Sequence, residues 1–234
     1  MILPLRICSK WLAIAAFSAA TQGATIVGSV VTIPPVHGEQ MSEIIVWLQR
    51  LHPSVSEAPT EHAQLVQKNK MFHPHVLAVR TGTIIDFPNF DPIFHNAFSN
   101  YDGQLFDVGL YPPGSSRSIR FRHPGIVRVF CNIHPSMSAV ILVLDTPFFT
   151  RARANGRFDL ASVPPGEYEL HAFDERAADP ADVVSVNVPS DTSVLDAPPI
   201  RLSEASYVQR PHKNKYGREY PPQRSENGYG GVLK

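Results

Sequence analysis

The sequence predicts an all-β protein made of two β-sandwiches. Three observations point there. The chain carries 22 prolines and 14 glycines, poor material for a helical bundle. Its apolar residues fall in short runs that lack a helical period. Turn chemistry separates several of those runs, at Thr81-Gly82, Tyr101-Asp102-Gly103, Pro112-Pro113-Gly114 and Pro124-Gly125.

Residues 1–23 stand apart from the rest. Arg6 and Lys10 precede the apolar run LAIAAFSAA, and small residues follow through Gly23 and Ala24. This is the layout of a secretory signal peptide. The run is short for a bilayer span, and an uncleaved anchor is the alternative. No later run is long and apolar enough to be a transmembrane span. The mature chain is therefore expected in a periplasm or secreted.

In residues 24–50, ATIVGSVVT and EIIVWLQR read as two strands. Residues 62–146 carry AQLVQ, HVLAVR, TIIDFPN, FHNAFS, SRSIRF, GIVRVFC and SAVILVL, the pattern of a small sandwich with Greek-key links. In residues 147–204, GRFDLASVPPGEYELHAFDE reads as strand, turn and strand, followed by VVSVNVP and APPIRLS. That unit is short of strands, and 24–50 is short of partners. One reading is a discontinuous sandwich split by insertion of 62–146. The other packs 24–50 on the middle unit. Residues 205–234 are polar, basic and rich in Gly, Pro and Tyr, and read as a solvated tail or an extended arm.

Formal net charge is zero and charged residues are 18%, so no pull toward nucleic acid is implied. There is no Gly-x-Ser-x-Gly elbow, no phosphate-binding Gly loop and no His-Glu-x-x-His helix. Asp102, Asp107 and Asp174 suggest no acid/base pair. His73 and His75 flank Pro74 with no carboxylate nearby, and are read as surface histidines.

The chemistry concentrates in CNIHPSM, Cys131 to Met137. The chain holds two cysteines, and Cys8 leaves with the signal. An exported protein then carries one unpaired thiol in an oxidising compartment, which suggests a ligand, a nucleophile or a buried core residue. His134 and Met137 follow at i+3 and i+6, where the apolar alternation breaks into a turn. Two soft sulfurs and an imidazole select copper, or less readily zinc. A further histidine is needed from elsewhere, among His62, His73, His75, His95 and His123. His95 fits best, since it sits among aromatic residues where a charged imidazole is costly and a metal-bound neutral one is not. Asn96 is placed to reach the cysteine sulfur and brace the loop.

The stretch NKMFHPHVLAVRTGTIIDFPNFDPIFHNAFS, followed by FRHPGIVRVFCNIHPSMSAVILVL, resembles the cupredoxins, the type 1 blue-copper proteins of the amicyanin and plastocyanin kind. The likeness spans 62–146, and the short Cys-x-x-His-x-x-Met loop is most similar to that of amicyanin. It implies one type 1 copper ion with His95, Cys131 and His134 as equatorial ligands, Met137 as the weak axial ligand, and Asn96 outside the ligand set. The segment GRFDLASVPPGEYEL resembles carboxypeptidase regulatory-like, or transthyretin-like, β-sandwich modules.

These resemblances imply a single-electron carrier without enzymatic turnover, with electrons entering at His134. Pro92, Phe94, Pro135 and the loop Gly109–Gly114 form a candidate apolar collar there. The expected partner is a periplasmic redox protein or dehydrogenase. A protein for copper delivery or storage, and a copper-free structural or interaction β-protein, are the alternatives.

Overall fold

The computed structural model describes residues 23–35, 43–52, 61–100, 103–177, 182–204 and 212–221. The expected signal segment falls almost wholly outside them. Among the described residues there is no α-helix, and none is long and apolar enough to cross a membrane. The protein is all-β, with several sheets.

Strand β1 (Ala24–Ile33) alternates buried and less buried residues along its first turns of pleat, as a strand with one face on a core should. It lies antiparallel to β14 (Arg157–Val163). On its other edge it runs parallel to β17 (Val194–Asp196) and then to β18 (Ile200–Ser203). Gly28 is required in this strand, because a Cβ there would lie 2.5 Å from the Phe158 ring. Strand β2 (Ile45–Arg50) sits between β13 (Phe149–Arg151) and β15 (Gly166–Phe173), and β15 pairs with β16 (Val184–Val188). Ile26, Val30, Val46, Leu48, Phe158 and Leu170 from the two sheets share one core. Strands β1 and β2 thus hydrogen-bond to strands that follow residue 148.

Between β2 and β13 the chain builds a second pair of facing sheets. One is ordered β6 (Val76–Arg80), β12 (Ser138–Leu144), β11 (Gly125–Phe130), β8 (Phe98–Ser99) and β9 (Phe106–Asp107). The other is β10 (Ser118–Arg120), β7 (Ile84–Asp86) and β3 (His62–Gln64). A hairpin of β4 (Val66–Lys68) and β5 (Met71–His73) stands beside them. The core between the sheets includes Leu65, Ile85, Phe87, Phe121, Val129 and Ile141. Tyr111 crosses it and donates its hydroxyl to the Phe87 carbonyl at 2.8 Å.

Strand β12 explains why SAVILVL has no polar alternation. Ala139, Ile141 and Val143 face the core just described, whereas Leu142 and Leu144 face Ile45, Trp47, Phe149 and Phe173 of the other unit. Both faces are buried, so both are apolar. FHNAFS, expected as a full strand, is a strand only at Phe98–Ser99. The bends at Asp91–Ile93 turn the chain out of line, and His95 keeps a single bridge to Tyr111.

His75 corrects its reading as a surface histidine. Its Nε2 lies 2.5 Å from Glu175 Oε2 and its Nδ1 3.2 Å from the Ser138 carbonyl, so it ties the two units together. The Glu175 bond raises its pKa above the ordinary histidine value; burial opposes this, and Glu43 adds to it. A group with a raised folded pKa stabilises the fold below its unfolded pKa of about 6.5, and that contribution is lost as pH rises through the folded value. Thermal melts run from about pH 5.5 to pH 8 should therefore show a loss of stability on the alkaline side. The His75→Gln protein should lack that part of the loss.

Candidate metal centre

Cys131 follows directly on β11, at the point where the chain leaves the sheet. The Cys131 N–H donates to the Met137 carbonyl at 3.2 Å, and the Met137 N–H donates to the His134 carbonyl at 3.1 Å. These bonds close residues 131–137 into a tight loop before β12 begins. Cys131 and Met137 are fully buried and belong to the same core.

His95 reaches the loop from the opposite side. Its backbone exchanges hydrogen bonds with Tyr111, at 3.3 and 2.9 Å. The Cys131 Sγ lies 3.8 Å from His95 Nδ1 and 3.9 Å from His134 Nδ1. All three potential ligand atoms fall within 4.8 Å of one another. The two rings meet edge-on, with centroids 4.8 Å apart. Met137 stands at the end of the same loop. His62 is engaged by Asp86 and His75 by Glu175; neither they nor His73 and His123 join the cluster.

The sequence reading missed Asp91. Its Oδ2 lies 2.8 Å from His95 Nε2, which orients the ring and turns Nδ1 toward the cysteine. The same carboxylate accepts the N–H groups of Asn69 and Lys70 at 2.6 and 2.8 Å, at the tip of the β4–β5 hairpin. Both tip residues have φ of 57°, the left-handed pair a two-residue hairpin turn needs. Asp91 therefore joins a histidine of the cluster to a neighbouring hairpin. The only local signal was the i, i+4 spacing in DPIFH.

Electrostatics at the site lower the pKa of the cysteine. Burial pushes the Cys131 thiol up, but the His95 ring and the backbone N–H groups of Asn96, Ile133 and His134 bring it below its ordinary value. Burial likewise disfavours ionised Asp91, yet the Lys70, His95 and Asn69 bonds hold its carboxyl low. For His95, burial opposes the charged form, and the bonds to Cys131 and Asp91 outweigh it. A cysteine sulfur, two imidazole nitrogens and a thioether on the same loop as the cysteine are a donor set that fits copper.

Asn96 braces the loop through its side chain and meets the sulfur through its backbone. Its Oδ1 accepts the Asn132 N–H at 2.6 Å, and its side chain also donates to Asp107. Its backbone N–H is the group that faces the thiol. The chain geometry selects this, because residue 95 points inward and residue 96 toward the loop.

His134 is half-buried and borders a groove of about 670 Å³, lined also by Asn69, Lys70, Pro92, Phe94 and Ile133. Pro92 and Phe94 thus stand beside it, with Phe94 and Ile133 exposed. Pro135 is not among the lining residues.

The described part of the C-terminal stretch, expected to be solvated, packs on the loop. Tyr220 donates its hydroxyl to the Cys131 carbonyl at 2.7 Å. The His212 ring stacks on Phe130, with centroids 4.1 Å apart. The Lys215 N–H donates to Asn132 Oδ1 at 3.0 Å. A segment without apolar period hides such packing, since it is held by aromatic and polar contacts to distant residues.

No protein-family model matches the sequence, and no curated protein matches it either. Among solved structures, a purple cupredoxin from Nitrosopumilus maritimus is 21% identical over 36% of this chain and 99% of its own, with a TM-score of 0.33. A reduced tryptophan-to-tyrosine mutant of amicyanin is 16% identical over 38% of this chain and 86% of its own, with a TM-score of 0.34. A copper-containing nitrite reductase from Thermus scotoductus SA-01 is 23% identical over 50% of this chain and 28% of its own, with a TM-score of 0.34.

Proposed function

We propose that the protein is an exported copper protein that passes single electrons through one mononuclear site. The observation that carries this reading is the approach of Cys131 Sγ to His95 Nδ1 and His134 Nδ1, at 3.8 and 3.9 Å, with buried Met137 on the same loop as Cys131 and His134. His95, Cys131 and His134 would hold the copper, with Met137 as a weaker fourth donor. Copper held there would supply one-electron cycling, with a potential tuned by Met137 and by hydrogen bonding around the cysteine sulfur.

The chain's own part is rigidity. His95 is held by Asp91 and Tyr111, Cys131 by the end of β11, and Asn132 by Asn96. Groups fixed by this many bonds change little between two oxidation states. Four ligands leave no position for a substrate, which favours electron transfer over turnover. Half-buried His134, beside an apolar groove, is the proposed contact with a periplasmic redox partner; small interfaces of that kind suit brief encounters. The strands on either side of 62–146, including the transthyretin-like segment, support this unit.

Titration with Cu(II) should produce an intense thiolate-to-copper absorption band that saturates at one metal per chain. It should also bleach and return on reversible one-electron cycling. A copper complex without that band, or one that loses copper readily to a competing chelator, would favour storage or delivery instead.

A further inference from the structure

We propose that residues 212–221 form a strap that clamps the cysteine end of the metal loop, and that Tyr220 is a positioning residue that raises the site's reduction potential. The strap touches three consecutive residues. His212 stacks on Phe130, Tyr220 donates to the Cys131 carbonyl, and the Lys215 N–H donates to Asn132 Oδ1. No other stretch of the described C-terminal chain is so placed.

The strap has internal structure. Asn214 Oδ1 accepts the N–H groups of Tyr216 and Arg218, both at 3.0 Å. The Asn214 N–H donates to the Arg218 carbonyl, and the Gly217 N–H to the Asn214 carbonyl, each at 2.9 Å. Gly217 supplies the left-handed φ of 72° that this turn requires. The turn brings His212 and Tyr220 together, edge to face at 5.2 Å, with His212 Nδ1 3.3 Å from the tyrosine oxygen.

A second bond line runs beneath. Lys215 Nζ pairs with Asp107 at 2.7 Å, Asp107 accepts from Asn96, and Asn96 accepts the Asn132 N–H. The strap and the Asn96 brace therefore grip Asn132 from two sides. A carbonyl oxygen can only accept, so the Tyr220 hydroxyl is the donor and its hydrogen lies toward the cysteine.

The sign of the effect follows from the dipole. The hydroxyl turns its positive end toward the cysteine ligand. A copper site gains negative charge on reduction, so a positive end nearby stabilises the reduced form. Losing that bond should favour the oxidised form by about threefold to tenfold, tenfold being ~59 mV for one electron.

The inference rests on the copper reading above, and the experiment separates the two. Full-length Tyr220→Phe keeps the ring and loses only the donor; Tyr168→Phe, which loses a phenol donor to the Pro164 carbonyl away from the strap, is the control. Tyr220→Phe should lower the potential by the stated amount and shift the thiolate-to-copper band. In copper-free protein it should speed amide hydrogen exchange severalfold across residues 131–137. Tyr168→Phe should leave all three unchanged. A Tyr220→Phe potential equal to wild type overturns the proposal. If wild-type protein gives no thiolate band with copper, the copper reading fails, and the strap is judged by exchange alone: faster loop exchange upholds the clamp, and unchanged exchange overturns it.

Discussion

Cys131→Ala should abolish the visible copper band and lower copper affinity by about a hundredfold or more, since removing a mere supporting partner of a ligand already costs 10–100-fold. The fold should survive. Cys131 is fully buried in the core of Leu65, Phe87 and Val129, and the substitution removes one sulfur atom from it. The cavity left is small, and the copper-free protein should lose only ~1 kcal/mol. Absorption titration and denaturant melts of the two metal-free proteins check both halves. A variant that keeps the band would sink the assignment of the thiolate, and one that fails to fold would show that the residue's main role is packing.

Asp91→Ala is expected to be nearly as damaging, by a different route. The carboxylate serves the Asn69 and Lys70 N–H groups as well as His95 Nε2. Alanine leaves the buried imidazole nitrogen without a partner and the hairpin tip without its acceptor. Each orphaned buried group costs about 1–3 kcal/mol, and partial exposure of the hairpin tip reduces its share. A total loss of roughly 2–4 kcal/mol in stability follows, together with a 10–100-fold fall in copper affinity because His95 is no longer oriented. Asp91→Asn keeps one acceptor oxygen and should recover part of each loss. Denaturant midpoints and chelator competition measure the two effects separately. Stability lost with affinity retained would confine Asp91 to a structural role.

The long strands were legible because an element of six to ten residues shows its burial pattern, as in β1, β2 and β11. Strands β5, β9, β13 and β17 were missed. Each has two or three residues, too few to display alternation. His95, Cys131 and His134 stood out because their residue types are rare and chemically pointed. Asp91 did not, since an aspartate before proline reads as turn chemistry. The partnership of Tyr220 with Cys131 spans 89 positions in sequence, and no local pattern encodes it. Tertiary contacts of that kind depend on where distant strands end, which a single sequence does not show.

The order of strands along the chain has a kinetic consequence. Ala24 must find Val163, and Ile33 must find Ser203, before both edges of β1 are paired. The strands of residues 62–144 hydrogen-bond only with one another, although the outer face of β12 is covered only once β2, β13 and β15 pack on it. As the chain emerges from its N-terminus, β1 and β2 wait as open strand edges while the middle unit closes. Such edges invite pairing with other chains. The unit carrying the candidate metal loop can therefore fold early, while completion of the flanking sandwich sets the slow step and the interval of aggregation risk.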